Sequence, residues 1–147
     1  MLVETKTKGC VEISNDRLIS IPSGLFGFEE YTDFALVDSE YEPLMWLQSL
    51  QEKNLAFLLI DPFLITDDYE AEIDDSELLK NGIKDPAEVM VLTIVTVPDD
   101  GSAVTANFQG PLIINKKNHQ CMQAILDGSK YTTKHNILEA LKRKEAK

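Results

Sequence analysis

Val89 to Val97 is a run of β-branched and other apolar residues, interrupted only by Thr93 and Thr96. Its composition is that of a strand, and neither alternate face is polar. A strand apolar on both faces is covered on both, which places this one centrally in its sheet. Pro98-Asp99-Asp100-Gly101 follows with turn chemistry. The return limb alternates, with Val104, Ala106 and Phe108 on one face and Thr105, Asn107 and Gln109 on the other. Gly110-Pro111 breaks it, and Leu112-Ile113-Ile114 makes one more short strand before Asn115. The pattern predicts the core hairpin of an all-β domain.

The rest of the chain supplies further short strands. Cys10–Ile13 and Leu18–Ile21 flank Asn15-Asp16, a hairpin signal. Residues 33–38 (DFALVD), 44–50 (LMWLQSL, with the single tryptophan, Trp46, expected in the core) and 55–60 (LAFLLI, closed by Asp61-Pro62) follow. Asp74 or Asp75 can cap a short helix through Leu78-Leu79-Lys80, stopped at Asn81-Gly82. His119–Leu126 fits a strand or a helical face equally well. Asn136–Lys147 has helical spacing at Ile137, Leu138 and Leu141, with basic residues towards its end. The expectation is one β domain over residues 1–135, a small antiparallel barrel-like body with one short helix, the strand count also fitting a two-sheet sandwich, and a helical tail over 136–147.

At 147 residues the chain can bury a single core without staples. Cys10 and Cys121 form no CxxC pair, and a reducing cytoplasm is expected. No window approaches a membrane span, and the first residues carry no apolar signal core. Fourteen basic against 25 acidic residues leave a net charge of −11, which repels phosphate backbones and attracts basic proteins.

Candidate chemistry is sparse. Neither His119 nor His135 belongs to an HExxH motif, so zinc has no sequence support. The acidic stretch Asp67 to Glu77 lacks the calcium-loop spacing and its glycine, and reads as a solvated face. The glycine-containing loop Pro22–Glu29 lacks the lysine and helix start of a phosphate cradle. Cys121 with His119 two residues away is the one conceivable nucleophile, without an orienting third group. No cofactor and no enzymatic activity are expected. Three sets of residues are candidates for binding a protein partner. Leu25, Phe26 and Phe28 are anchors if their loop is exposed, although plugging into the core is the favoured reading. Asp67, Asp68, Glu70 and Glu72 suit a basic partner. Asn107, Gln109 and Asn115 are polar positions beside apolar strands, equally suited to finishing turns.

A series of blocks resembles the flagellar assembly factor FliW family. The series runs through Gly24-Leu25-Phe26-Gly27-Phe28-Glu29, Leu47-Gln48-Ser49, Asp61-Pro62, Val91 to Val97, Thr105-Ala106-Asn107-Phe108, Pro111 to Asn115 and Tyr131 to His135. Each block is weak alone, but their order spans nearly the whole chain. Phe26 stands where proline or another apolar residue is common in the family, Phe108 where leucine is usual, and the tail outruns many members. The resemblance implies a cytoplasmic, non-catalytic barrel-like protein that binds the translational repressor CsrA, away from its RNA surface, and relieves its block on flagellin messenger RNA. It also implies binding to flagellin, which competes for the same protein and so frees CsrA. It further implies a strand for His119–Leu126.

Overall fold

The computed structural model describes residues 1–137 apart from 40, 42, 67, 68, 71, 72, 74, 81, 86, 87, 98–103 and 127–130. The strands are β1 (Leu2–Thr5), β2 (Gly9–Glu12), β3 (Leu18–Ser20), β4 (Asp33–Asp38), β5 (Met45–Ser49), β6 (Ala56–Ile60), β7 (Val89–Thr96), β8 (Thr105–Ala106), β9 (Leu112–Asn115), β10 (Cys121–Gln123) and β11 (His135–Asn136); one short helix, α1, spans Asp75–Lys80. Neighbouring strands run antiparallel in the order β10-β9-β7-β6-β5-β4-β3. The two ends of that path meet through a parallel bridge between Ser20 and Gln120, where the Ser20 N–H donates to the His119 carbonyl at 2.9 Å. The sheet thereby closes into a barrel, in place of the two-sheet sandwich that the strand count also fits.

β7 is central. The Glu88 carbonyl accepts from Lys116 N–H and the Ile94 carbonyl from Asn107 N–H. Carbonyls an even number of residues apart face the same edge of a strand, so β9 and then β8 share one edge of β7. β6 takes the other. The expected turn between β7 and β8 falls on residues outside those described.

The reason for two apolar faces is visible in the packing. Inside the barrel, Ile19, Phe34, Leu36, Leu47, Leu59, Leu92, Leu112 and Ile114 form the main core. Outside it, three separate covers bury the other face. The β1–β2 hairpin lays Val3, Val11 and Ile13 over Ala35 and Val37. The β8–β11 region brings Ala106, Phe108 and Ile137 against Val95 and Ile60. The helix side contributes Leu78 and Ile83 over Ile113 and Val89. A barrel wrapped on most sides needs strands that are apolar throughout.

Three expectations are corrected. Cys10–Ile13 does not form a hairpin with Leu18–Ile21: β2 pairs with β1, and Asn15–Arg17 is a single 3-10 turn leading into β3, which pairs with β4. The first strand, with only Val3 and Thr5 buried, has too short an alternation to signal itself. Within the loop, only Leu25 plugs into the core; Phe26 and Phe28 do not. Trp46 is half-buried on the outer face beneath the β1–β2 hairpin, not inside the barrel. Cys121–Gln123 is a strand, and bonds from Ala124 N–H to Pro111 and from Leu126 N–H to Gln109 extend its pairing. In the expected C-terminal helix, Asn136 lies in β11 and Ile137 is buried; residues 138–147 fall outside those described. No helix among the described residues is long and apolar enough to cross a membrane.

A candidate docking loop on the barrel

The loop between β3 and β4 is organised by close backbone approach. Ile21 accepts a bond from Gly24 N–H, Leu25 accepts from Phe28 N–H, and Phe28 accepts from Tyr31 N–H, each within 3.1 Å. Gly24 adopts φ +70°, and a Cβ there would lie 2.7 Å from the Glu29 carbonyl oxygen. Only glycine lets the chain double back at that point. Leu25 then drops into the barrel, while the reversal turns Phe26 and Phe28 outward; they are 55% and 36% exposed. Phe28 rests edge-on against Phe57, ring centroids 5.2 Å apart, so it is held in place while remaining in reach.

A second element pins the loop from the side. The Gln123 carboxamide on β10 accepts from Phe26 N–H at 3.0 Å and donates to the Gly110 carbonyl at 3.1 Å. Gly110 N–H in turn donates to the Asn107 side chain at 2.8 Å. A Cβ at Gly110 would lie 2.9 Å from Asn107 Nδ2 and 3.2 Å from Gln123 Nε2, so a side chain there would push both carboxamides aside. Gln123 therefore couples the aromatic loop to the turn before β9. It lies in the one segment whose conformation the residue pattern leaves open, and no composition signal marks it.

Charge surrounds the aromatics. Glu29 and Glu30 follow directly and are exposed. The Glu29 carboxylate accepts from Gly27 N–H at 3.1 Å, which holds its pKa below the ordinary glutamate value and keeps it ionised. Ile125, on the same side of its extended segment as Gln123 with buried Ala124 between them, is 63% exposed.

The other candidates are dispersed. Asn107 and Asn115 spend their side-chain oxygens on the N–H groups of Gly110 and Lys117, and Asn115 is buried. Gln109 reaches the Leu126 carbonyl only at 3.5 Å. Asn107 and Asn115 therefore shape turns, while Gln109 lies across from Leu126 in the extended pairing of β9 and β10. Glu70 is exposed, and its N–H donates to the Tyr131 hydroxyl at 2.7 Å. That contact belongs to an aromatic cluster in which Tyr69 packs on Tyr131 and Phe108, and donates its hydroxyl to the Phe108 carbonyl. Burial pushes the Tyr69 phenol well above its ordinary pKa. Asp67, Asp68 and Glu72 lie outside the described residues.

Cys121 is buried against the barrel interior, and burial pushes its thiol up to about 12. A thiol held protonated is a poor nucleophile, so the Cys121–His119 reading loses its reacting group. With a thiol reagent at neutral pH, one equivalent should label the native protein, at exposed Cys10, and two the unfolded protein. Two equivalents on the native protein would reopen the nucleophile reading.

The fold and this surface define a class: a small, acidic, closed antiparallel barrel presenting a pinned aromatic loop. The chain belongs to the FliW family, whose model, described as FliW protein, matches residues 2–137. It is 49% identical to the flagellar assembly factor FliW of Treponema denticola over 141 residues, 96% of each chain. It is 45% identical to that of Treponema pallidum over 146 residues, covering 99% of this chain and 97% of the relative. A crystal structure of a flagellar assembly factor FliW superposes with a TM-score of 0.84 at 34% identity, covering 93% of this chain and 96% of the other.

Proposed function

We propose that this protein is a flagellar assembly factor that acts by binding other proteins in the cytoplasm, without catalysis. Its partners are the translational repressor CsrA, whose hold on flagellin messenger RNA it relieves, and flagellin, which competes for it. The observation that carries the proposal is a net charge of −11 on a barrel whose exposed aromatic loop is bordered by glutamates. Such a surface repels nucleic acid and favours basic proteins. Membership of the FliW family supports the flagellar role.

Mixing the purified protein with CsrA and, separately, with flagellin at micromolar concentration and low salt should give a complex with each. Absence of both complexes would defeat the proposal. Replacing Asp67, Asp68, Glu70 and Glu72 together with lysine should slow association with CsrA about tenfold and flatten its salt dependence, with little change in dissociation. Stopped-flow traces across a salt series read both quantities; unchanged association would remove those acids from the encounter surface.

A further inference from the structure

We propose that Phe26 and Phe28, together with Ile125, are the anchor by which this barrel docks onto a partner protein, and that the partner presents an apolar pocket rimmed by lysine and arginine. This rests on the protein-binding function proposed above and adds the surface and the chemistry of what fits it.

The first reason is misplaced hydrophobicity. Phe26 and Ile125 are more than half exposed at 55% and 63%, and Phe28 is 36% exposed. Single exposed apolar residues need no explanation, but these three belong to two segments joined by one side chain, Gln123. The second reason is order. An aromatic on a slack loop loses conformational freedom when it binds, whereas this loop is already fixed. Gly24 folds it back, Phe57 supports Phe28, and Gln123 fastens the Phe26 backbone to the Gly110 turn. Preorganised aromatics at the centre of a contact are the usual anchors of protein interfaces.

Charge selects the occupant. Glu29 and Glu30 border the aromatics, and the whole molecule is acidic. A second copy of this chain would bring like charges together at the rim, and a nucleic acid would bring phosphates. A protein with an apolar pocket and a basic border satisfies both the rings and the carboxylates. Gln123 is then a positioning residue: its own side chain stays on the loop backbone and acts through Phe26.

The test uses the full chain with purified CsrA and flagellin as probes, read by calorimetry or surface binding. Phe26→Ser and Ile125→Ser should each leave the melting temperature near that of the parent, and Phe26→Ser should weaken binding to at least one probe about 30-fold or more. Glu30→Lys should slow association with the same probe. Leu2→Ser, an exposed apolar residue on β1, is the control and should bind as the parent does. Gln123→Ala should weaken binding about tenfold in the parent but have almost no effect in the Phe26→Ser background. That non-additivity marks action through Phe26, where a general loss of stability would add.

If the parent binds and the Phe26→Ser/Ile125→Ser double variant binds equally well, the docking surface is overturned while the proposed function stands. If the parent binds neither probe, the function fails and takes this inference with it. If sedimentation at high concentration reveals a dimer that Phe26→Ser abolishes, the occupant is a second copy and the basic-rimmed partner is wrong.

Discussion

Gln48→Leu is expected to lower the free energy of unfolding by about 3 kcal/mol, a large share of what holds a domain of this size. Gln48 is buried on β5 and meets backbone from two directions. Its oxygen accepts from Lys6 N–H at 2.9 Å, which fastens the turn of the β1–β2 hairpin to the barrel. Its amide donates to the carbonyls of Ser49, Lys53 and Leu55 at 3.1, 2.9 and 3.3 Å, which shapes the turn between β5 and β6. Leucine matches the volume but supplies no partner, and each buried group left unpaired costs about 1–3 kcal/mol. Leu55 keeps its bond from Ser49 N–H and Lys53 is exposed, so the full sum is not reached. Urea denaturation should show the loss as a lower midpoint, together with faster amide exchange across β1 and β2. A loss under about 1 kcal/mol would mean that water replaces the carboxamide with little penalty.

Gln48 also shows where the sequence could be read and where it could not. The block Leu47-Gln48-Ser49 contributes to the family resemblance, yet nothing in its pattern states why glutamine stands between buried residues. The answer is a tertiary contact with a residue 42 positions away. Ser49 has a local answer: its hydroxyl accepts from Gln51 and Glu52 N–H, a turn contact that short-range chemistry anticipates. The same division runs through the molecule. β4, β6, β7 and β9 were legible because wrapping the barrel makes them apolar on both faces. β1 and β10 were not, since four and three residues with few buried positions are too short to show a period, although each pairs with its neighbour in sequence. The docking loop was half legible: glycine spacing marked a tight loop, but which aromatics faced inward depended on the approach of Gly24 to Glu29.

Gly24→Ala is the second large effect, and its comparison with Gly27→Ala makes it sharp. Both glycines have positive φ, +70° and +88°. A methyl at Gly27 meets nothing within 4 Å, so only the left-handed conformation is penalised, by about 1–2 kcal/mol. At Gly24 the methyl also strikes the carbonyl carbon and oxygen of Glu29 at 2.8 and 2.7 Å, and backbone cannot swing aside as a side chain would. Overpacking adds about 1–3 kcal/mol, so Gly24→Ala should cost roughly 3 kcal/mol, about twice the effect of Gly27→Ala. The loop has a cheaper escape than global unfolding: Glu29 moves off, and the bonds that hold Phe28 and Phe26 go with it. Gly24→Ala should therefore weaken partner binding more than its drop in melting temperature predicts, whereas Gly27→Ala should change both modestly. Equal melting temperatures and equal affinities for the two variants would show that the backbone does not double back at Gly24 in solution. The aromatic loop would then owe its shape to Gln123 and to the packing of Phe28 on Phe57.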